Sequence, residues 1–181
     1  ELAQVIGVVL TDKLEVQNLR VEELVGLGRS PYTGFWGSLR ENDNVIVQEA
    51  ISQVGIQDLS QRMVMTLSDG ERQKAMIAKA LAQQTPVIIL DEPTAFLDYP
   101  SKVELMQLLA KLAHDRDKTI FFCTHDLEIA LQVADKVWLL EHNSLNIGTP
   151  KQLLQDGSLQ RAFGRQGITF GEYAEVIRIS I

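Results

Sequence analysis

Cysteine is nearly absent from this sequence of 181 residues, which contains a single thiol, Cys123. One thiol cannot form an internal disulfide, so a disulfide-stapled secreted domain is excluded and a reducing compartment fits. Cys123 closes an apolar run, a pattern that predicts a buried strand end and no metal site. Long apolar runs are also lacking, since stretches such as Val87–Leu90 are far shorter than the roughly 18 residues of a membrane-spanning helix. We therefore expect no segment that spans a membrane.

Positive charge is in short supply. The chain has 17 Lys and Arg residues against 24 Asp and Glu residues, which gives a formal net charge of −7. This balance offers no basic surface for a nucleic-acid backbone, so nucleic acid is not an expected partner. The apolar fraction of 45% suits one globular domain with a real core, which excludes a disordered chain.

The order of apolar segments predicts an α/β protein with a mostly parallel sheet covered by helices on both faces. Short apolar runs with strand character alternate with longer segments of helical period. The predicted strands are Val5–Leu10, Val87–Leu90, Thr119–Cys123 and Val137–Leu140, and the predicted helices are Asn44–Val54, Asp69–Gln84, Ser101–Ala113 and Leu127–Ala134. Residues 13–66 are expected to form a small helical region, interrupted by a glycine-rich loop at Gly28–Gly37.

The C-terminal part of the sequence has a different pattern. Ser144–Ile147 is predicted to pair back on the preceding strand as a hairpin. Thr149 and Gln152 have the spacing of a capping box that starts a short helix, and Gly157 can end it. Residues 168–181 are expected to form two short strands.

Two carboxylates follow a buried strand at Asp91 and Glu92. Open parallel sheets bind ligands at the carboxyl ends of their strands, and two adjacent acids there call for a cation. Asp91 could hold Mg²⁺ directly or through water, and Glu92 could polarise an attacking water. Taken alone, the same residues also suit an ordinary solvated strand end.

Ser68, Asp69, Gly70 and Glu71 stand at the predicted start of a helix. The spacing of Ser68 and Glu71 is that of a capping box, so one interpretation is simply a well-capped helix. The alternative is an anion site made by Ser68, the free N–H groups of the helix start and the approachable Gly70.

Two further polar groups lie near the same predicted sheet edge. His125 directly follows the strand Thr119–Cys123, so it could meet the same phosphate as Glu92 if the two strands are neighbours. Ala95–Asp98 forms a turn after the strand of Asp91, and Asp98 there could equally be an acid favoured at a helix start.

Together these residues resemble the ATP-binding-cassette (ABC) ATPase family. Ser68–Glu71 is similar to its signature motif, Val87–Glu92 to its Walker B strand, Ala95–Asp98 to its D-loop and His125 to its switch histidine. All four occur in the family's order, and the resemblance runs from about Ile6 to at least Gly148. It implies a P-loop NTPase fold of ABC type, with ATP and Mg²⁺ as cofactors.

The resemblance also implies roles for these residues. Glu92 would be the general base, Asp91 the Mg²⁺ partner and His125 the sensor of the γ-phosphate. Two ATPase subunits would pack head to tail as a homodimer. Ser68 and Gly70, with the rest of the signature and Asp98 of the D-loop, would then face a nucleotide held by the partner.

The sequence departs from the family pattern in three places. No G-x-x-x-x-G-K-[ST] phosphate loop occurs in it, and because it opens at Glu1 we expect that loop upstream; the chain alone is then expected to be inactive. Thr11 stands where the family usually places a glutamine that reaches Mg²⁺ and the attacking water. Asp69 and Glu71 add negative charge to the signature, which should weaken phosphate binding unless both face outward or cap the helix.

The stretch Glu22–Gly34 is similar to the start of the helical subdomain in importers of iron-siderophore complexes, haem and cobalamin. The resemblance implies a subunit on the cytoplasmic face of the membrane, attached to permease subunits through residues 13–84. Phe35 and Trp36 suit either a partner groove or local packing. The implied core segments are residues 1–12 and 85–148, and residues 149–181 form the C-terminal helix and strands.

Two other functions remain open at this point. One is an ABC ATPase that acts on chromosomes or ribosomes, although residues 11–67 contain no long coiled coil and the net charge is unfavourable. The other is a non-catalytic regulatory module without a phosphate loop. Intact Glu92 and His125 argue against it, because a decayed site needs neither a base nor a sensor.

Overall fold

The computed structural model describes residues 1–11, 18–34, 37–115, 118–141 and 144–163. The chain forms two compact units, residues 1–125 and residues 126–181. The predicted core segment 85–148 is therefore divided between them. The strands expected within 168–181 lie outside the described residues, as do Phe35 and Trp36.

The described residues of the first unit form three strands and four α-helices. In chain order they are β1 (Ile6–Val9), α1 (Val21–Gly26), α2 (Glu41–Gln53), α3 (Asp69–Ala82), β2 (Val87–Asp91), α4 (Tyr99–Asp115) and β3 (Thr119–Cys123). Short 3₁₀ turns occur at Leu2–Gln4, Leu27–Arg29, Gln57–Leu59 and Val64–Thr66.

The sheet of the first unit is parallel, with the strand order β1-β2-β3. This confirms the parallel arrangement expected from the sequence. Ile88 and Leu90 of β2 are buried, whereas Val8 of β1 is 53% exposed on the opposite face. All three strands run in the same direction, so their carboxyl ends lie at one edge and the residues that follow them are neighbours.

Cys123 is exposed, so the prediction of a buried strand end was wrong at this residue. It is the last residue of β3, and β3 is a terminal strand of the described three-stranded sheet. An apolar run in the sequence does not reveal which strand will lie at an edge.

Helices α1, α2 and α3 pack against one another and form the predicted helical region. Their shared core is aliphatic and includes Leu24, Val25, Val47, Ile51, Ile77 and Ala78. Helix α2 begins at Glu41, three residues before the predicted start, because the Asp43 carboxylate accepts a hydrogen bond from the Arg40 N–H at 3.0 Å. Gly55 follows the helix with φ of +71°, as expected of a residue that ends it.

The second unit contains α5 (Leu127–Val133), β4 (Val137–Glu141), β5 (Ser144–Gly148), α6 (Pro150–Gln155) and α7 (Ser158–Phe163). Strands β4 and β5 form the predicted antiparallel hairpin. The Thr149 hydroxyl accepts a hydrogen bond from the Gln152 N–H at 3.2 Å, which confirms the capping box. Leu139, Leu153 and Leu159 form the core of this unit.

No helix in the described parts of the two units is long and apolar enough to cross a membrane.

Candidate functional site

The carboxyl edge of the parallel sheet brings together four of the predicted site residues. Thr11 comes shortly after β1, and His125 comes shortly after β3. Asp91 is the last residue of β2, and Glu92 is the next residue. The Glu92 N–H donates to the Cys123 carbonyl at 3.0 Å, so the alignment of β2 with β3 extends past the end of β2. Side chains separated along the sequence thus meet in one place.

Thr11 contacts Asp91 directly. Its hydroxyl lies 2.8 Å from the Asp91 carbonyl oxygen and 3.0 Å from Oδ2 of the same residue. One hydroxyl carries one proton, so the proton can be donated to either oxygen. The contact fixes the Asp91 side chain at the strand end, on the side where β1 finishes.

Glu92 and His125 form the second contact at this edge. Nδ1 of His125 lies 2.8 Å from Oε2 of Glu92, and the two side chains are 72% and 30% exposed. The contact has ion-pair length without hydrogen-bond alignment, and the buried Oε2 accepts no hydrogen bond from the described residues. A buried acceptor without a hydrogen bond is uncommon in proteins, so Oε2 of Glu92 marks this edge as a candidate site.

The backbone of Glu92 is strained. Its φ is +44°, a conformation that residues other than glycine rarely adopt and that costs roughly 1–3 kcal/mol. This conformation turns the chain out of β2, and the Ala95 N–H donates to the Glu92 carbonyl at 3.0 Å within the turn. Asp91 and Glu92 consequently leave the strand in different directions, and each can contact a different part of a ligand.

The start of α3 is held by Ser68 and Glu71. The Glu71 N–H donates to the Ser68 hydroxyl oxygen at 3.3 Å, and the Ser68 N–H donates to Oε2 of Glu71 at 2.8 Å. This backbone hydrogen bond is the main reason why the pKa of the Glu71 carboxyl lies below its ordinary value. The structure therefore contains the capping box, and Glu71 is engaged in it.

Asp69 has a partner within its own helix turn. Its Oδ1 lies 3.2 Å from Nη1 of Arg72, whose Nη2 donates to the Leu67 carbonyl at 3.1 Å. Each of the two acids of the candidate signature thus has a local partner, Arg72 for Asp69 and Ser68 for Glu71.

A cavity of about 130 Å³ lies beside the start of α3. It is lined by Ser68, Gly70, Glu71, Lys74, Leu97, Ser101, Glu104 and Leu105. Nζ of Lys74 lies 2.7 Å from Oε1 of Glu104, so the cation at the cavity wall is paired with an acid of α4. Sequence reasoning missed Lys74 and Ser101, although the helical spacing of Gly70 and Lys74 was a signal for the first of them.

Gly70 is not required by packing within the chain. A Cβ atom at this position would meet its nearest neighbour, Ser101 Oγ, at 3.8 Å, an ordinary van der Waals contact. Glycine in the first turn of a helix lowers stability relative to alanine. Contact with a group from outside the chain is an alternative reason for a glycine here.

Asp98 caps the start of α4. Its Oδ1 accepts a hydrogen bond from the Ser101 N–H at 3.1 Å. The pKa of the Asp98 carboxyl lies below its ordinary value. The main cause is a hydrogen bond from the Ser101 side chain, and the second cause is this N–H. Leu97, the residue before it, lines the cavity beside α3, which places the predicted D-loop next to the predicted signature.

The oxygen atoms at Asp91 suit a Mg²⁺ ion whose remaining ligands come from a nucleotide and from water. Mg²⁺ commonly takes one or two protein carboxylates, with water and substrate phosphates as its other ligands. The described residues contain no group of three or more His, Cys, Asp or Glu side chains that could hold a metal alone. Asp91, with the Thr11 hydroxyl beside it, would supply the small number of protein ligands that such a site needs.

Comparison with known sequences gives a consistent result. The family described as "ABC transporter" matches residues 1–95. The chain is 39% identical to an uncharacterized ABC transporter ATP-binding protein of Methanocaldococcus jannaschii, over 95% of this chain and 60% of the relative. It is 38% identical to the petrobactin import ATP-binding protein FpuC of Bacillus anthracis, over 81% of this chain and 54% of the relative. A third relative is the ferric enterobactin transport ATP-binding protein FepC of Escherichia coli, with 33% identity over 91% and 61% of the two chains.

Two solved structures have the same fold. One, described as an inward-facing conformation of an ABC transporter of metal-chelate type, has a TM-score of 0.82 and 28% identity over 88% of this chain and 64% of that one. The other is cbiO1 of Clostridium perfringens, with a TM-score of 0.75 and 28% identity over 92% and 67%. The chain spans less than two thirds of the length of the curated relatives it matches here.

Proposed function

This chain belongs to the ABC transporter family, and from that premise we propose that it forms the larger part of the ATP-hydrolysing subunit of an importer for iron-siderophore, haem or cobalamin complexes. The observation that carries the proposal is the meeting of Thr11, Asp91, Glu92 and His125 at one sheet edge, with a separate capped signature at the start of α3. The cargo class is supported by the relatives named for petrobactin and ferric enterobactin transport.

In the proposed reaction Glu92 acts as general base. Its carboxylate accepts a proton from a water whose oxygen bonds to the γ-phosphorus of ATP, while the bond from that phosphorus to the bridging oxygen breaks. His125, whose Nδ1 lies 2.8 Å from Oε2 of Glu92, would donate to an oxygen of the transferred phosphoryl group. Asp91 and Thr11 would hold Mg²⁺ from the other side. Mg²⁺, when bound, neutralises negative charge on the phosphates.

The signature is proposed to act on a second copy of the subunit. Ser68 and Gly70 line the cavity at the start of α3, where the helix dipole favours a phosphate. A head-to-tail homodimer would place this helix start against a nucleotide held by the partner. Asp98 would contribute indirectly to this phosphate site. It ends the turn Ala95–Asp98, which holds Leu97 at the cavity.

The helical region, residues 13–84, is proposed to receive the permease subunits. The complete subunit would therefore lie on the cytoplasmic face of the membrane. The 181-residue chain itself contains no phosphate loop, and we expect it neither to bind Mg-ATP tightly nor to hydrolyse it. Micromolar binding of Mg-ATP to this chain, measured by calorimetry, would contradict that expectation.

The test of the proposed function uses the complete subunit with its permease in proteoliposomes. We expect ATP hydrolysis that is stimulated by a binding protein loaded with the transported solute. We also expect uptake of a labelled ferric siderophore, haem or cobalamin. Hydrolysis without uptake of any of the three would support the ATPase activity and contradict the proposed cargo class. Absence of hydrolysis in the complete subunit would overturn the catalytic proposal and favour a regulatory module.

A further inference from the structure

A buried arginine connects the end of α3 to the helices that precede it. Arg29 is only 4% exposed, and its Nε lies 2.9 Å from Oδ1 of Asp43 in α2. Its Nη1 donates to the carbonyl of Ala82, the last residue of α3, at 2.8 Å and to Oε1 of Gln84 at 3.0 Å. One guanidinium thus joins α2, the 3₁₀ turn after α1 and the C-terminal end of α3.

Tyr32 strengthens the same connection. The Arg29 guanidinium lies 4.2 Å from the centroid of the Tyr32 ring, within the range of a cation–π contact. The Tyr32 hydroxyl donates to the Gln83 carbonyl at 3.0 Å, so a second residue of this loop binds the end of α3. We call Arg29, Tyr32, Asp43, Gln83 and Gln84 the Arg29 junction.

The Arg29 junction also reaches β1. Nε2 of Gln83 donates to the Ala3 carbonyl at 2.6 Å and to the Ile6 carbonyl at 3.1 Å. Strand β1 leads to Thr11, whose hydroxyl contacts Asp91 at the sheet edge. The residue pair Gln83 and Gln84 therefore links the helical region on one side to the strand of the candidate site on the other.

Gly28 shows how closely the loop and α3 approach each other. A Cβ atom at Gly28 would lie 2.2 Å from the Lys79 carbonyl oxygen, a distance that the backbone of α3 could not accommodate without moving. The glycine lets the loop lie directly on α3, and Arg29 then fastens it to carbonyls at the helix end. The last carbonyls of a helix lack partners within the helix and carry partial negative charge, which suits a guanidinium.

From these contacts we propose that Arg29 is a positioning residue that fixes the C-terminal end of α3 to α2 and to the loop after α1. It would act through α3, whose opposite end carries Ser68 and Gly70, the residues that the proposed function assigns to a partner's nucleotide. A displacement of α1 and α2 would then reach the signature at one end of α3 and β1 at the other. The inference rests on the proposed function. It assigns to Arg29 the coupling between the permease-binding helices and the signature that faces the nucleotide.

The experiment uses the complete subunit with its permease in proteoliposomes and compares three variants. The main variant is Arg29→Met with Asp43→Leu, because removing both charges leaves no unpaired ion buried in the protein. Arg29→Lys keeps the charge but loses the planar fork that reaches several acceptors. The matched control is Arg161→Met in the second unit, where Arg161 donates to the Asp156 carbonyl and the Ser158 hydroxyl.

We expect the double variant to have a lower folding midpoint, because Asp43 also caps the start of α2. Below both midpoints it should keep the basal ATP turnover of the parent, while permease-stimulated turnover falls roughly 2- to 30-fold, the usual range for a coupling residue. Arg29→Lys should show the same selective loss, and Arg161→Met should show none. Unchanged stimulation in the double variant would overturn the proposal. An equal loss of basal and stimulated turnover would also overturn it, because a merely structural role lowers both together.

Failure of the proposed function would be visible separately. If the parent complex hydrolyses no ATP, the proposed function is contradicted, and hydrogen exchange of the nucleotide-free subunit then decides the inference. Faster exchange in residues 80–84 of the double variant, with unchanged exchange at the start of α3, would support the Arg29 junction as the attachment of the C-terminal end of α3 to α2. Unchanged exchange in residues 80–84 would overturn it.

Discussion

The start of α3 and the carboxyl edge of the sheet carry similar side chains but are built in opposite ways. At the start of α3 the hydrogen-bonding and ionic partners are three residues apart, as Ser68 is from Glu71 and Asp69 from Arg72. At the sheet edge Thr11 and Asp91 are 80 residues apart. The first region assembles with its own helix, whereas the second exists only when three strands are in register.

This difference in assembly accompanies a difference in chemical state. The acids at the start of α3 are both engaged by near neighbours, and the pKa of Glu71 is lowered. At the sheet edge Glu92 has a strained backbone and a buried oxygen without an aligned hydrogen bond. Strain and an unused acceptor persist only where the surrounding structure imposes them, and they are typical of sites that react. Under the proposed function, recognition would belong to the first region and bond cleavage to the second.

The largest expected effect is that of Glu92→Gln in a complete subunit that includes the phosphate loop. Glutamine keeps the size of the side chain but cannot act as a base, so turnover should fall about 10²- to 10⁴-fold. ATP binding should persist because Asp91 is unchanged, and the variant should accumulate as an ATP-bound dimer in size-exclusion chromatography. Glu49→Gln, on an exposed face of α2, is the control. Near-normal turnover of Glu92→Gln would place the base elsewhere.

Ser68→Ala tests whether the start of α3 does more than cap its helix. Losing the cap should cost about 0.5–2 kcal/mol in the free energy of unfolding. Losing a charge-assisted contact to phosphate, typically about 1.5–3 kcal/mol, should weaken ATP-driven dimerisation roughly 10- to 100-fold. Ser68→Asp separates the two effects, since aspartate also caps a helix but repels a phosphate. Recovery of both stability and turnover in Ser68→Asp would reduce Ser68 to a cap.

Thr11→Val tests the contact that joins β1 to Asp91. Valine keeps the shape of threonine and removes only the hydroxyl, so one hydrogen bond worth about 0.5–1.5 kcal/mol is lost. We expect the concentration of Mg²⁺ at half-maximal turnover to rise roughly 2- to 10-fold in the complete subunit, with a smaller change in maximal turnover. Thr11→Ser retains the hydroxyl and should behave like the parent. Equal Mg²⁺ dependence of Thr11→Val and Thr11→Ser would mean that Thr11 does not position Asp91.

The smallest expected effect concerns the charge of Glu71. Its pKa is lowered from the ordinary value of 4.5, chiefly by the hydrogen bond from the Ser68 N–H, so the ionised carboxylate stabilises the folded chain. That contribution is present above pH 4.5 and is lost as the pH falls through the lowered pKa. Glu71→Gln can still form the capping box but carries no charge, so it should be less stable than the parent near pH 7. The difference should shrink in thermal unfolding measured at progressively lower pH, and a constant difference from pH 7 to pH 3 would argue against it.

Local signals in the sequence were sufficient for the starts of α3 and α6 and for the strands. The hydroxyl and the Glu or Gln side chain of a capping box are three residues apart, so Ser68 and Thr149 could be identified without knowing the fold, and the structure contains both caps. The strand segments could be read from their apolar runs, and neighbouring parallel strands put their ends at one edge. The meeting of Asp91, Glu92 and His125 was predictable for that reason.

Other features depend on contacts that no short window of sequence contains. The second helix after Thr149, α7, was not predicted because Gly157 signals an end and gives no sign that a helix resumes at Ser158. The exposure of Cys123 depends on the place of β3 at the border of the described sheet.

The sequence by itself therefore determined the resemblance to the family, which its motifs carry. It also determined the parallel strands and the residue types of the candidate site, because these follow from the order and spacing of its segments. Only the tertiary structure decided that Thr11 holds Asp91, that Glu92 is strained beside His125, and that Arg29 joins α2 to the end of α3. The physical reason is that hydrogen bonds and ion pairs require atoms within about 3–4 Å. Between residues far apart in sequence, that distance is set by the packing of whole strands and helices.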